Sequence, residues 1–168
     1  MRINVTDAIL ETWRRNTTVL TNILQALPEG GIDAMDTGGT WTVAHHLADM
    51  QSATLDWLEK SSPRFAVNLE QLYFDDPSSP AGFGAERDLQ KIIAAFTASS
   101  RAVEAAVRHH LETGETFGEV YANPIFYLQH MIWHQAYHMG QIVWALKQSG
   151  MRFGDEQTFE MIWKVLRK

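Results

Sequence analysis

His134 and His138 stand four residues apart in the run His130-Met131-Ile132-Trp133-His134-Gln135-Ala136-Tyr137-His138-Met139-Gly140-Gln141. On a helix that spacing puts two imidazoles on one face, about one turn apart. Imidazole offers a nitrogen lone pair near neutral pH, so the pair can hold one metal ion, and a third donor has to come from another segment. The pair His45-His46, in Trp41-Thr42-Val43-Ala44-His45-His46-Leu47-Ala48-Asp49, can supply it. At about 100° per residue, Val43, His46, Leu47, Met50, Ala53, Thr54, Trp57 and Leu58 share one broad side, whereas His45 groups with Asp49, Ser52 and Asp56 in a polar set that reads as solvated. His46 is therefore the expected third ligand, with His45 as the fallback. Tyr127, Met131, His134, His138, Gln141, Ile142 and Ala145 fall in one sector of their own helix. His130 lies near that sector but about 12 Å from His138 along the axis, too far to share an ion, and reads as an outer or pocket-rim residue. Tyr127 and Gln141 either orient a ligand or form hydrogen bonds in the core.

Three neutral imidazoles suit zinc, nickel, iron(II), cobalt or copper better than magnesium or calcium, which prefer oxygen. Three protein ligands leave positions for water or substrate, as in a catalytic site, where the ion can activate bound water or thiol and polarise a carbonyl. The plainer reading is an amphipathic helix with surface histidines. His109-His110 read as histidines at a helix C-terminus, favoured there by the dipole, and Asp75-Asp76 with Glu112, Glu115 and Glu119 read as solvated loops. The chain has no glycine-rich phosphate loop, dinucleotide fingerprint or nucleophile-elbow motif.

Composition narrows the setting. The 168 residues are 45% hydrophobic and contain no cysteine, which leaves room for one domain, 1–168, with a real core and removes disulfides, thiolate ligands and a cysteine nucleophile. Fourteen Lys and Arg against twenty Asp and Glu give a net charge of -6, the wrong sign for neutralising phosphates, so no nucleic-acid partner is expected. The start Met1-Arg2-Ile3-Asn4-Val5-Thr6-Asp7 lacks the basic-then-apolar pattern of a signal peptide, and no apolar stretch approaches membrane-spanning length. A cytoplasmic protein with no membrane partner is the expectation.

Four long helices must position the histidines. Apolar residues at helical intervals predict the first over about Val5 to Leu27, with Thr6 as a cap and Pro28-Glu29-Gly30-Gly31 as the stop. Thr37-Gly38-Gly39-Thr40 ends the linker with an N-cap just before Trp41, and the second helix runs from about Thr42 to Ser61. A Pro-, Ser-, Gly- and Asp-rich stretch through Gly84 reads as a long crossover. The third helix occupies about Glu86 to Leu111 with Gly114 as terminator, and the fourth runs from Pro124 to near Ser149-Gly150. Gln157 to Leu166 predicts a short C-terminal helix. With no convincing strand, the fold class is all-α, a four-helix bundle whose crossover permits up-down-down-up order. The fourth helix is apolar nearly all round, with Trp133, Tyr137, Gly140 and Trp144 forming a separate stripe, so it needs cover either from the C-terminal segment or from a second copy in a homodimer.

In these segments the chain resembles the DinB-like family of metal-binding four-helix bundles, grouped with the YfiT-like metal-dependent hydrolases. The likeness spans most of the chain in helical layout and is specific in Trp41-Thr42-Val43, His46-Leu47-Ala48-Asp49 and His134-Gln135-Ala136-Tyr137-His138-Met139-Gly140-Gln141-Ile142. His46, His134 and His138 match the family's ligand positions; Met139 stands where the family usually carries arginine. The resemblance implies an up-down-down-up bundle, a divalent metal ion (nickel, zinc or iron) and frequent dimerisation. Relatives that look like bacillithiol or mycothiol S-transferases, or like maleylpyruvate isomerases, imply a metal-bound thiolate as nucleophile. The expected function is a metal-dependent enzyme of the thiol S-transferase or hydrolase kind, taking a small-molecule thiol cosubstrate and an electrophile. The alternatives are a non-catalytic metal-dependent binding or stress-response module and a purely structural bundle.

Overall fold

Each long helix begins at a side chain that accepts from its free N–H groups, and these caps set the boundaries. The computed structural model describes residues 4–35, 38–39, 41–79 and 82–167. Helix α1 spans Val5–Gln25 and is capped by Asn4, two residues before the expected Thr6, through a 3.3 Å bond from the Asp7 N–H. Helix α2 spans Val43–Ser61, and the cap is Thr42. The expected cap in 37–40 involves Thr37 and Thr40, which lie outside the described residues. Helix α3 spans Leu89–Thr113, starting three residues later than expected because Asp88 accepts from Gln90 and Lys91; it ends at Gly114, whose φ of 72° is the left-handed conformation glycine permits. Helix α4 spans Pro124–Gln148, capped by Asn123 with Pro124 in its first turn.

The connection between α2 and α3 is more ordered than a crossover loop. A 3-10 turn at Pro63–Phe65 leads to two short antiparallel strands, β1 (Tyr73–Asp75) and β2 (Phe83–Ala85), with Phe74 opposite Gly84. A Cβ on Gly84 would lie 2.6 Å from the Phe74 ring, so the hairpin needs glycine there. Buried Gln51 of α2 anchors the segment by donating to the Glu70 carbonyl at 2.6 Å and accepting from the Leu72 N–H at 3.2 Å. Three-residue strands are too short for an alternating pattern to register in a sequence.

The four helices share two apolar clusters with a polar layer between them. One cluster gathers Leu20, Ile23, Leu47, Met50, Ile92, Phe96, Ile142 and Leu146; the other gathers Leu10, Trp13, Leu58, Val103, Val107, Tyr127, Leu128 and Met131. At the level between them each helix carries a buried polar residue: Asn16, Thr54, Ser99 and Gln135. Asn16 donates to Gln135 at 2.6 Å, Gln135 to Thr54 Oγ1 at 3.4 Å, and Thr54 and Ser99 to carbonyls of their own helices, which meets the cost of burying them. Tyr127, fully buried, donates to the Thr54 carbonyl at 3.0 Å and so serves the core. Between α1 and α3, Arg108 pairs with Asp7, Arg14 with Glu104, and the Trp13 indole N–H with the Ser100 carbonyl. The α2 side packs on α4, with His46 against His138 and Thr54 against Tyr127.

Beyond α4 come α5 (Asp155–Thr158), a π-helical turn at Phe159–Trp163 and α6 (Lys164–Arg167). This segment docks on α1, where Asn22 donates to the Met161 carbonyl and Arg15 to that of Leu166. It leaves the α4 stripe open, with Trp133 73%, Tyr137 62% and Trp144 49% exposed. No helix among the described residues is long and apolar enough to cross a membrane.

Candidate metal centre

The centre forms where α2 and α4 face each other. His138 is buried and His134 partly so, and both Nε2 atoms turn toward Asp49 of α2. Asp49 Oδ2 lies 3.3 Å from His134 Nε2 and 3.0 Å from His138 Nε2, and the two Nε2 atoms are 3.3 Å apart. Three donors joined to one ion by bonds of about 2.1 Å at right-angled to tetrahedral geometry would be separated by about 3.0–3.4 Å, so this set fits a divalent metal ion. Among the described residues it is the group of His and acidic side chains whose ligand atoms converge in this way. The donor chemistry, two nitrogens and one carboxylate oxygen, suits zinc, iron(II) or nickel.

His46 sits on the far edge of His138. Its Nδ1 is 3.0 Å from His138 Nδ1, and it is 2% exposed. If His138 offers its Nε2 lone pair to a metal, its proton is on Nδ1 and donates to His46, the partner that metal-bound histidines ordinarily require. His134 Nδ1 has no such partner among the described residues. Trp41 lies over both rings, stacked on His138 with planes 10° apart and centroids 6.0 Å apart, and 5.3 Å from His46. Hydrogen bonds from His134 and His138 hold the Asp49 carboxyl well below the usual carboxylate range. Tyr73 of the hairpin donates to the His45 carbonyl at 3.2 Å, and burial together with the Asp49 charge pushes its phenol up, so it stays protonated.

His45 has a different task. Thr42 Oγ1 accepts from the His45 N–H, and His45 Nδ1 lies 2.8 Å from Thr42 Oγ1 and 3.4 Å from the Thr42 N–H, a capping box with histidine in the place usually held by Glu or Gln. Met139 is buried against α1, where an arginine would need a counter-charge. His130 is exposed, with Nδ1 2.7 Å from the Tyr121 hydroxyl.

Asp49 does not belong to the solvated set with His45 that its sequence position suggests. Its carboxyl is only 31% exposed and faces α4. The signal was available: three residues after His46, it is about 60° from it around the helix and therefore on the edge of the same face.

A model described as the DinB family matches residues 1–156 of the 168. No curated protein and no solved structure matches the chain significantly.

Proposed function

The chain belongs to the DinB family, and on that premise we propose that it is a divalent-metal-dependent enzyme of the thiol S-transferase or hydrolase kind, acting on a small thiol and an electrophile. The observation that carries the reading is the convergence of His134 Nε2, His138 Nε2 and Asp49 Oδ2 within 3.0–3.3 Å. An ion held there would lower the pKa of a bound thiol or water and polarise a carbonyl. Asp49 would contribute negative charge and the third donor atom, its Oδ2 lying beside both Nε2 atoms. His46 enters the set in one of two ways. One ion cannot take both nitrogens of His138, so His46 is the orienting partner of His138 in this conformation and a direct ligand, in a three-histidine set with His134 and His138, only after one ring turns. Trp41 excludes water from the His138 side. The lack of cysteine is compatible, since the thiol is a cosubstrate, and a cytoplasmic setting keeps such thiols reduced.

The pairings of early α1 with late α3 and of early α2 with late α4, together with one apolar cluster that gathers Leu10 and Trp13 of early α1, Leu58 of late α2 and Tyr127 and Leu128 of early α4, support the up-down-down-up order in one domain. We further propose that a second copy covers the α4 stripe. Trp133, Tyr137 and Trp144 form an exposed apolar patch of the kind that marks interfaces, and a Cβ at Gly140 would meet nothing within 4 Å, leaving space for close approach. Sedimentation should give a dimer for the native chain and a monomer for Trp133→Glu/Tyr137→Glu; a native monomer would refute this arrangement.

Turnover is tested with protein reconstituted with zinc, nickel or iron(II) and screened with thiols against alkylating electrophiles and against ester and amide substrates. The proposal predicts activity that chelation abolishes and metal restores. Stoichiometric metal with no turnover on any pair would favour the non-catalytic binding or stress-response module, which fits a site closed by His46 as a fourth donor.

A further inference from the structure

Trp57, Tyr121 and His130 form a shelf one helical turn from His134; none belongs to the metal set, and Trp57 and Tyr121 rest in part on the core cluster while staying partly exposed. The rings contact one another, with Trp57 6.1 Å from Tyr121 and 6.0 Å from His130, and His130 is 6.4 Å from His134. The shelf is built rather than incidental. Tyr121 arrives on the loop between α3 and α4, and Gly118 pins that loop to the end of α2. A Cβ at Gly118 would lie 2.8 Å from Ser61 Cα and 3.0 Å from the Lys60 carbonyl, and its φ is 63°. Lys60 holds its ammonium 4.4 Å over the Trp57 ring.

The polar atoms of the shelf are donors. An imidazole nitrogen accepts better than a phenol oxygen, so the Tyr121 O–H donates to His130 Nδ1 across 2.7 Å, which leaves the His130 proton on Nε2. The exposed His130 N–H and the Lys60 ammonium therefore both present hydrogen to solvent beside an aromatic wall, a chemistry that matches a carboxylate.

We propose that this shelf anchors the carboxylate end of a bifunctional ligand whose other end reaches the metal centre. The inference rests on the metal-site reading above, and it adds a substrate class: thiols carrying a terminal carboxylate several bonds from sulfur. Trp57 and Tyr121 flank the chain between the two ends, and Lys60 and His130 select its charge.

The test uses cobalt(II)-loaded protein and two probes of equal length, mercaptobutyrate and mercaptobutanol, with affinities read from the sulfur-to-cobalt charge-transfer band. The native protein should bind the carboxylate about tenfold more tightly, the size of one charge-assisted contact. In Lys60→Met/His130→Gln the preference should fall to within about twofold, and Tyr121→Phe should reduce it in part. Cobalt titration and circular dichroism on each variant separate loss of the anchor from loss of the site or fold, and Lys60→Met alone, at an exposed position, gives a test that does not strain packing. Equal affinities in the native protein, or a preference that survives both substitutions, would overturn the proposal with the metal site intact. Failure to load cobalt at all would overturn the underlying metal reading and the shelf with it.

Discussion

Two histidine clusters lie along α2, and their difference separates a site from a joint. Against its C-terminal end, buried His110 of α3 has both nitrogens occupied: Nε2 is 2.8 Å from Ser62 Oγ and Nδ1 donates to the Glu115 carbonyl at 3.1 Å. Its neighbour His109 lies 3.1 Å from the Glu115 carboxylate, which also pairs with Arg64. The Ser62 and Arg64 bonds tie the end of α2 to the end of α3, the Glu115 bonds close the end of α3 itself, and Phe65 and Phe117 pack against the rings. In the first half of α2 three donors instead converge on one point from two helices, and His134 keeps a buried nitrogen without a partner among the described residues. Histidines gather in both places. What differs is whether lone pairs are spent on the fold or left aimed at a common centre.

Breaking the convergence should have the largest effect. Asp49→Asn removes the negative charge and should weaken zinc binding by about a hundredfold, whereas His46→Gln, at the residue that orients His138, should cost about tenfold. Isothermal titration with zinc measures both. Loss of binding in His46→Gln as complete as in Asp49→Asn would move His46 from orienting partner to ligand.

The joint should respond in stability and not in metal affinity. His110→Ala leaves the buried Ser62 hydroxyl without its partner and gives up the bond to the Glu115 carbonyl, and should lower unfolding free energy by about 1–3 kcal/mol in urea titrations with zinc affinity unchanged. An unchanged urea midpoint would show that the joint carries no stability.

The contrast also explains what could be read from residues alone. Periodicity in Leu10, Trp13, Leu20 and Ile23, and the stop signals at Pro28 and Gly114, place the helices within a few residues. The His134/His138 spacing is local and legible for the same reason. Asp49 was legible only as an edge residue of the His46 face; whether it meets solvent or α4 depends on how α2 is rotated, and that angle is set by Val43, Leu47 and Met50 packing together with the His45 cap. The hairpin escaped because it depends on Gln51 reaching Glu70 and Leu72, contacts that no short window contains.

Metal content decides whether one cluster binds metal and the other does not. Inductively coupled plasma mass spectrometry would be run on untagged protein after zinc reconstitution and desalting, comparing the native chain with His134→Ala/His138→Ala and with His109→Ala/His110→Ala. Near-stoichiometric metal is expected in the native chain and in the second variant, provided circular dichroism shows it folded, and none in the first. Metal absent from the native chain, or retained without His134 and His138, would contradict that expectation.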